Sequence, residues 1–166
     1  STPLYSSAAS DVYKRQLAYT LWCLMIIGEF LFNNPEVRRP FEAAYTAALC
    51  SGGIGQGKFR HGAVIIKDNT IISAGFNQYK SHPTLITQTK FPYLHAESHS
   101  MFKYGLDRLE GSTLYVIRIR SQEHIGLSKP CFVCEYFIKE ANIKKVFYTT
   151  NEGYNAIYCT NQTNRI

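Results

Sequence analysis

Two short segments carry residue types that do chemistry. His95-Ala96-Glu97 sets an imidazole two residues ahead of a carboxylate, and Pro130-Cys131-Phe132-Val133-Cys134 sets two thiols three residues apart. Imidazole and thiolate donors suit zinc, and tetrahedral zinc with three protein ligands keeps its fourth position for water. Each segment falls where a helix is expected to start. Residues three apart on a helix share a side, so Cys131 and Cys134 present their sulfurs together. A helix N-terminus also favours the thiolate form. Glu97 follows His95 closely enough to face the metal without binding it, which is where a general acid–base acting on a water must stand. The candidate metal ligands are thus His95, Cys131 and Cys134, the cofactor is Zn2+, and the candidate catalytic residue is Glu97. A lone C-x-x-C or a lone H-x-E carries little weight; together they are far more specific.

The elements that must position these residues read as alternating helices and strands. After Pro40, the residues Phe41, Ala44, Tyr45, Ala48 and Leu49 recur at helical steps, and Ser51-Gly52-Gly53 ends that helix. Residues 63–67 and 71–76 are short β-branched runs joined by Asp68-Asn69, a two-residue hairpin turn. Residues 77–94 show no period and read as a long loop. A helix is expected over 95–104 with Gly105 as its stop, a strand over 113–119, a loop over 121–128, and a helix over 131–141 capped by Asn142 in the left-handed region. Residues 145–150 read as a strand, Asn151-Glu152-Gly153 as a turn, and 156–159 as a last short strand. Helices interleaved with strands imply one sheet covered by helices, an α/β layer fold.

The pair H-x-E…P-C-x-x-C resembles the signature of the zinc-dependent cytidine and deoxycytidylate deaminase superfamily, over roughly residues 41–150. Gly62-Ala63-Val64-Ile65 looks like that family's first strand. Gly75-Phe76-Asn77 looks like the end of its second, and Ser128-Lys129-Pro130 like its approach to the first cysteine. By texture the likeness is to small phage-type deaminases. The resemblance implies a cytidine deaminase-like three-layer α/β fold, a five-stranded mixed sheet with helices on both faces, and zinc held between two helix starts. It also implies substrate contacts from Asn77 and from the backbone around Ser128 and Pro130, and self-association into a homo-oligomer. The short link 150–154 points to a final antiparallel hairpin. In the mechanism implied, Glu97 takes a proton from water, hydroxide attacks C4 of cytosine, and Glu97 then protonates the ring nitrogen and the departing amine. The amides of Ala96 and Glu97 orient the pyrimidine or the tetrahedral species.

Composition bounds the rest. A chain of 166 residues with 45% hydrophobic and 18% charged residues holds one core and is not a disordered polymer. Eighteen Lys and Arg against twelve Asp and Glu give +6, a mild excess that permits a phosphate-bearing partner. Five cysteines without paired spacings are a poor disulfide framework, so the thiols read as reduced and the protein as cytoplasmic. Cys23, Cys50, Cys159, His61 and His124 read as packing residues. Residues 1–34 are set apart as a leader, because Ser7 to Gln16 resembles an adapter-derived segment; residues 35–166 form the deaminase domain. The apolar run over 17–32 is shorter than the ~20 residues a bilayer requires, so no membrane partner is expected.

Three readings remain in competition. The first is hydrolytic deamination of a free pyrimidine nucleoside or nucleotide, with Lys80, His82 or Lys90 near a phosphate. The second is the same chemistry on cytosine, or adenine, in single-stranded DNA or RNA, with Tyr79, Phe91 and Tyr93 as stacking surfaces. The third is a non-catalytic zinc-stabilised fold, for which His99 would supply a fourth ligand. Small size and the lack of a basic tail favour the first.

Overall fold

The computed structural model describes residues 34–51, 59–86, 93–121 and 124–159. The chain divides into two units, 1–38 and 39–166, and the sheet belongs wholly to the second. Residues 1–33, including the apolar run of the leader, and Phe91 and Lys90 lie outside the described residues. Among those described, no helix is long and apolar enough to cross a membrane.

The first helix, α1, is Pro35–Leu49. It starts five residues before Pro40 because Asn34 and Pro35 make the better beginning. The Asn34 side-chain oxygen accepts the Glu36 amide at 3.0 Å, and Pro35 sits where no amide donor is needed. The strands β1 (Arg60–Lys67) and β2 (Thr70–Phe76) form a hairpin. Its turn residues Asp68 and Asn69 have φ of 50° and 59°, the paired left-handed conformation that matches strand twist. The loop that follows is interrupted by a single turn of helix, α2 (Pro83–Ile86), and by an isolated bridge between Gln78 and Leu94. Helix α3 (Ala96–Tyr104) and strand β3 (Thr113–Ile119) lie where the sequence places them. Helix α4 (Phe132–Glu140) ends on Asn142 at φ 50°, with the Ile143 amide reaching back to the Ile138 carbonyl at 3.1 Å. Strands β5 (Lys145–Thr149) and β6 (Tyr154–Tyr158) close the chain as an antiparallel hairpin.

The sheet order is β2-β1-β3-β5-β6, antiparallel except for the β3–β5 pair. A sixth strand corrects the expected five: β4 (Ile125–Gly126), inside the segment read as a loop, pairs with the end of β3. Two residues are too few to show a period, which is why the sequence hides it.

Register assigns the faces. Gly62 lies opposite Phe76, and Ala63 opposite Gly75, so the two glycines look to opposite sides of the sheet. A Cβ on Gly62 would strike the Ala44 carbonyl and lie 2.6 Å from the Ala48 amide nitrogen. On the other side, a Cβ on Gly75 would lie 2.5 Å from the Ser100 amide nitrogen. So α1 covers one face, and α3 with α4 covers the other, giving the three layers. On the α1 face Phe41 packs edge-on to Tyr115, which stacks on Phe147 at 4.8 Å. On the α3–α4 face Ile65, Leu114, Val116 and Val146 meet Met101, Phe137 and Ile138, all buried. Cys159 packs against this core as expected, whereas Cys50, at the end of α1, is exposed.

Candidate active site

Helices α3 and α4 both begin with a residue whose side chain does not cap its own helix. His95 precedes α3 at φ −72° and ψ 156°, and Cys131 precedes α4 at φ −79° and ψ 167°; neither makes a side-chain cap bond. Such extended cap positions normally turn a polar atom back onto the first-turn amides. Here the imidazole and the thiol turn toward each other. His95 Nδ1 lies 3.5 Å from Cys131 Sγ and 3.5 Å from Cys134 Sγ. The three donor atoms fall within 4.8 Å of one another.

These residues fit zinc. Bonds of about 2.3 Å to sulfur and 2.0 Å to nitrogen, opened at a tetrahedral angle, put the two donors about 3.5 Å apart. The protonation pattern is that of a site made for a cation. Hydrogen bonding from Cys134 and His95 pulls the Cys131 thiol down to about 3 against the opposing effect of burial, while the same contact and burial push Cys134 up. Of the two sulfurs, Cys131 is the one disposed to the thiolate form. The bond to Cys131 holds the His95 imidazole above its ordinary range. His99 does not join them. Its ring is held by Phe76 and Gln78, with Gln78 Nε2 2.7 Å from its Nδ1, so a fourth protein ligand from His99 is ruled out.

Glu97 lies in the first turn of α3 with only 5% of its surface exposed. Burial raises its pKa, and the nearby His95 opposes that rise. It lines a cavity of about 460 Å³, together with Ala96, His95, Cys131, Asn77 and Ser128. Pro130 is buried beside the first thiol but is not part of the lining.

Two of the expected substrate residues are already engaged with the scaffold. The Asn77 side chain accepts the His61 amide at 2.7 Å and donates to the Phe59 carbonyl at 2.9 Å, fastening the end of β2 to the start of β1. The Ser128 hydroxyl donates to the Val116 carbonyl at 2.8 Å and accepts the Thr149 amide at 2.9 Å. That hydroxyl spans β3 and β5.

The cavity also holds residues that sequence reasoning missed. His61, read as packing, lines it, as do Arg118, Lys129, Phe59 and Leu127. His61 and Arg118 face each other across β1 and β3, at the strand ends nearest the two helix starts. Burial, with Arg118 and His95 nearby, lowers His61 to about 4. A polar residue interrupting an otherwise apolar strand on its core side was the available signal. Of the loop residues, Tyr93 lines the cavity and Tyr79 packs edge-on against it. Lys80 and His82 instead border a separate hollow of about 310 Å³ with Lys103 and His99.

Residues 37–150 match the family model described as the cytidine and deoxycytidylate deaminase zinc-binding region. A cytidine deaminase from Burkholderia pseudomallei is similar in structure with a TM-score of 0.54 and 16% identity, over 72% of this chain and 90% of that one. A dCMP deaminase from the cyanophage S-TIM5 gives a TM-score of 0.48 and 22% identity, over 69% and 82% of the two chains. No curated protein matches. Carrying that family's zinc-binding region over most of its length, the chain belongs to the zinc-dependent cytidine and deoxycytidylate deaminases, a family of hydrolases.

Proposed function

We propose that the protein converts cytosine to uracil in a free nucleoside or nucleotide, consuming water and releasing ammonia. The observation that carries this reading is the buried Glu97 carboxyl in one cavity with His95 and Cys131, the third donor Cys134 behind them. His95, Cys131 and Cys134 would hold the zinc. When bound, zinc supplies the Lewis acidity that makes a water proton removable near neutral pH.

Glu97 accepts that proton as oxygen bonds to C4, and it delivers the proton to the ring nitrogen. It then takes the proton of the new C4 hydroxyl and carries it to the amino group, and the C4–N bond breaks as the C4 carbonyl forms, so that ammonia departs. A carboxyl raised by burial is suited to this, because an acid–base catalyst works best with a pKa close to the operating pH. The backbone of Ala96 and Glu97 lies at the start of α3, where amide hydrogens point outward to orient an oxygen of the substrate. Asn77 and Ser128 shape the wall, with Pro130 fixing the approach to Cys131.

Tyr79, 71% exposed and packed on Tyr93 at the cavity, is what favours the second reading, a base presented by single-stranded nucleic acid. Free thiols suit a reducing, cytoplasmic setting, and self-association remains part of this reading.

The test is ammonia release from cytidine, deoxycytidine, deoxycytidylate, single-stranded DNA and RNA, with Glu97→Gln as the blank. The variant is expected to keep zinc and lose about 10²–10⁴-fold in turnover. Equal activity in the variant would take the acid–base role from Glu97. Polynucleotide activity falling steeply with salt would move the assignment to the second reading.

A further inference from the structure

The cavity has a cationic wall that the deamination chemistry does not use. Arg118 and Lys129 line it, and among the described residues that line it Glu97 is the one carboxylic acid. Arg118 sits opposite His61 in the β1–β3 register, so both side chains rise from the sheet face that carries α3 and α4. Its guanidinium carbon lies 5.0 Å from the centre of the Phe59 ring, an arrangement that fixes a planar cation against an aromatic face. Yet the Arg118 Nε atom is buried and has no hydrogen-bond partner among the described residues. A buried, charged donor without an acceptor is costly, and natural sites keep one where a ligand completes it. Arg118 lines the same cavity as His95 and Cys131, so one small molecule in that cavity can meet both the guanidinium and the metal donors.

We propose that Arg118 and Lys129 form a phosphate subsite, so that the substrate is a free nucleoside monophosphate rather than a nucleoside. This rests on the deaminase reading above. Two cations match the dianion of a monoester, whereas a phosphodiester within a strand carries a single charge. Guanidinium also offers a planar pair of donors to phosphate oxygens, and the exposed Lys129 ammonium adds a movable point charge. A volume of about 460 Å³ lies within the range of small-molecule sites.

The experiment compares kcat/KM of the zinc-loaded full chain on cytidine and deoxycytidine, on their 5′-monophosphates, and on a short single-stranded oligonucleotide. The monophosphates are expected to be preferred by about 100-fold, the range of hydrogen bonds to charged groups. Arg118→Gln should lower kcat/KM on a monophosphate at least ~30-fold more than on the nucleoside, chiefly through KM, with Arg118→Lys recovering part of the loss. Lys129→Gln, at an exposed position that folding tolerates, should lower it about 5-fold. Equal use of nucleosides, preference for the oligonucleotide, or equal losses on both substrate types overturns the subsite. If no substrate releases ammonia, equilibrium binding of deoxycytidylate decides. Binding weakened by Arg118→Gln keeps the subsite and removes the deaminase reading; binding indifferent to Arg118 removes both.

Discussion

On one face of the sheet, the C-terminal half of α1 presses on β1 at Gly62, through the backbones of Ala44 and Ala48. On the other, the first two turns of α3 press on β2 at Gly75, through Ala96 and Ser100. Both contacts use a missing side chain to bring a helix backbone against a strand. The α1 contact braces a helix toward its C-terminal end, and what surrounds it is aromatic: Phe41, Tyr115, Phe147 and Tyr154. The α3 contact braces a helix at its beginning, where unpaired amides and the positive end of the dipole lie. Within that short stretch stand His95, Glu97 and Ser98, the last 3.5 Å from the Cys134 sulfur. Chemistry collects where helices start, and burial of a helix by itself creates no site.

The largest expected effect contrasts two cysteines. Cys134→Ala should reduce bound zinc from about one equivalent to background, with deaminase activity lost beyond ~10³-fold, as measured by metal analysis and ammonia release. Cys50→Ala, at the exposed end of α1, should change neither. A full zinc complement in Cys134→Ala would dissolve the contrast.

The two glycines sharpen it next. Gly62→Ala and Gly75→Ala should each cost about 1–3 kcal/mol in denaturant unfolding, since backbone must move to admit the methyl group. Only Gly75→Ala shifts the start of α3. It should also lower kcat of the folded protein by about 10–100-fold, because small displacements of a catalytic group are expensive. Matching kcat values for the two variants would mean that the approach at Gly75 does not set the site.

Acid should single out the α3 side through His61. The unfolded imidazole titrates near 6.5 and the folded one near 4. Between those values the unfolded chain takes up a proton that the folded one refuses. Stability held above pH 6.5 therefore falls by up to about 3 kcal/mol as pH drops toward 4, and no further below it. His61→Gln should flatten that part of the stability profile. Smallest is Phe41→Leu on the α1 face, with about 1–2 kcal/mol lost and kcat unchanged.

Much of this was legible in the sequence because the key partners are close along the chain. His95 with Glu97, and Cys131 with Cys134, each lie within one helical turn, so local geometry already pairs them. The hairpin turn at Asp68-Asn69 and the cap at Asn142 were readable for the same reason, as were the long strand Thr113–Ile119 and the final hairpin. What escaped depends on register between distant strands. Arg118 and His61 reach the cavity through pairing across β1 and β3, and no spacing along the chain encodes that. The two-residue β4 and the single turn of α2 are too short for a period. Lys80 and His82, expected near a phosphate, border the smaller hollow together with the bridged Gln78 and Leu94, a placement only long-range pairing could reveal.

Strand β3 touches β1, β4 and β5 at once. Slipping it by one residue would turn Leu114 and Val116 out of the apolar layer and, in the same motion, swing Arg118 away from His61 and break the Val116 carbonyl's tie to Ser128. Misfolding here would thus not leave a well-formed pocket on a damaged scaffold: a correctly assembled interior and a working site are one and the same alignment, and an assay for either reports on both.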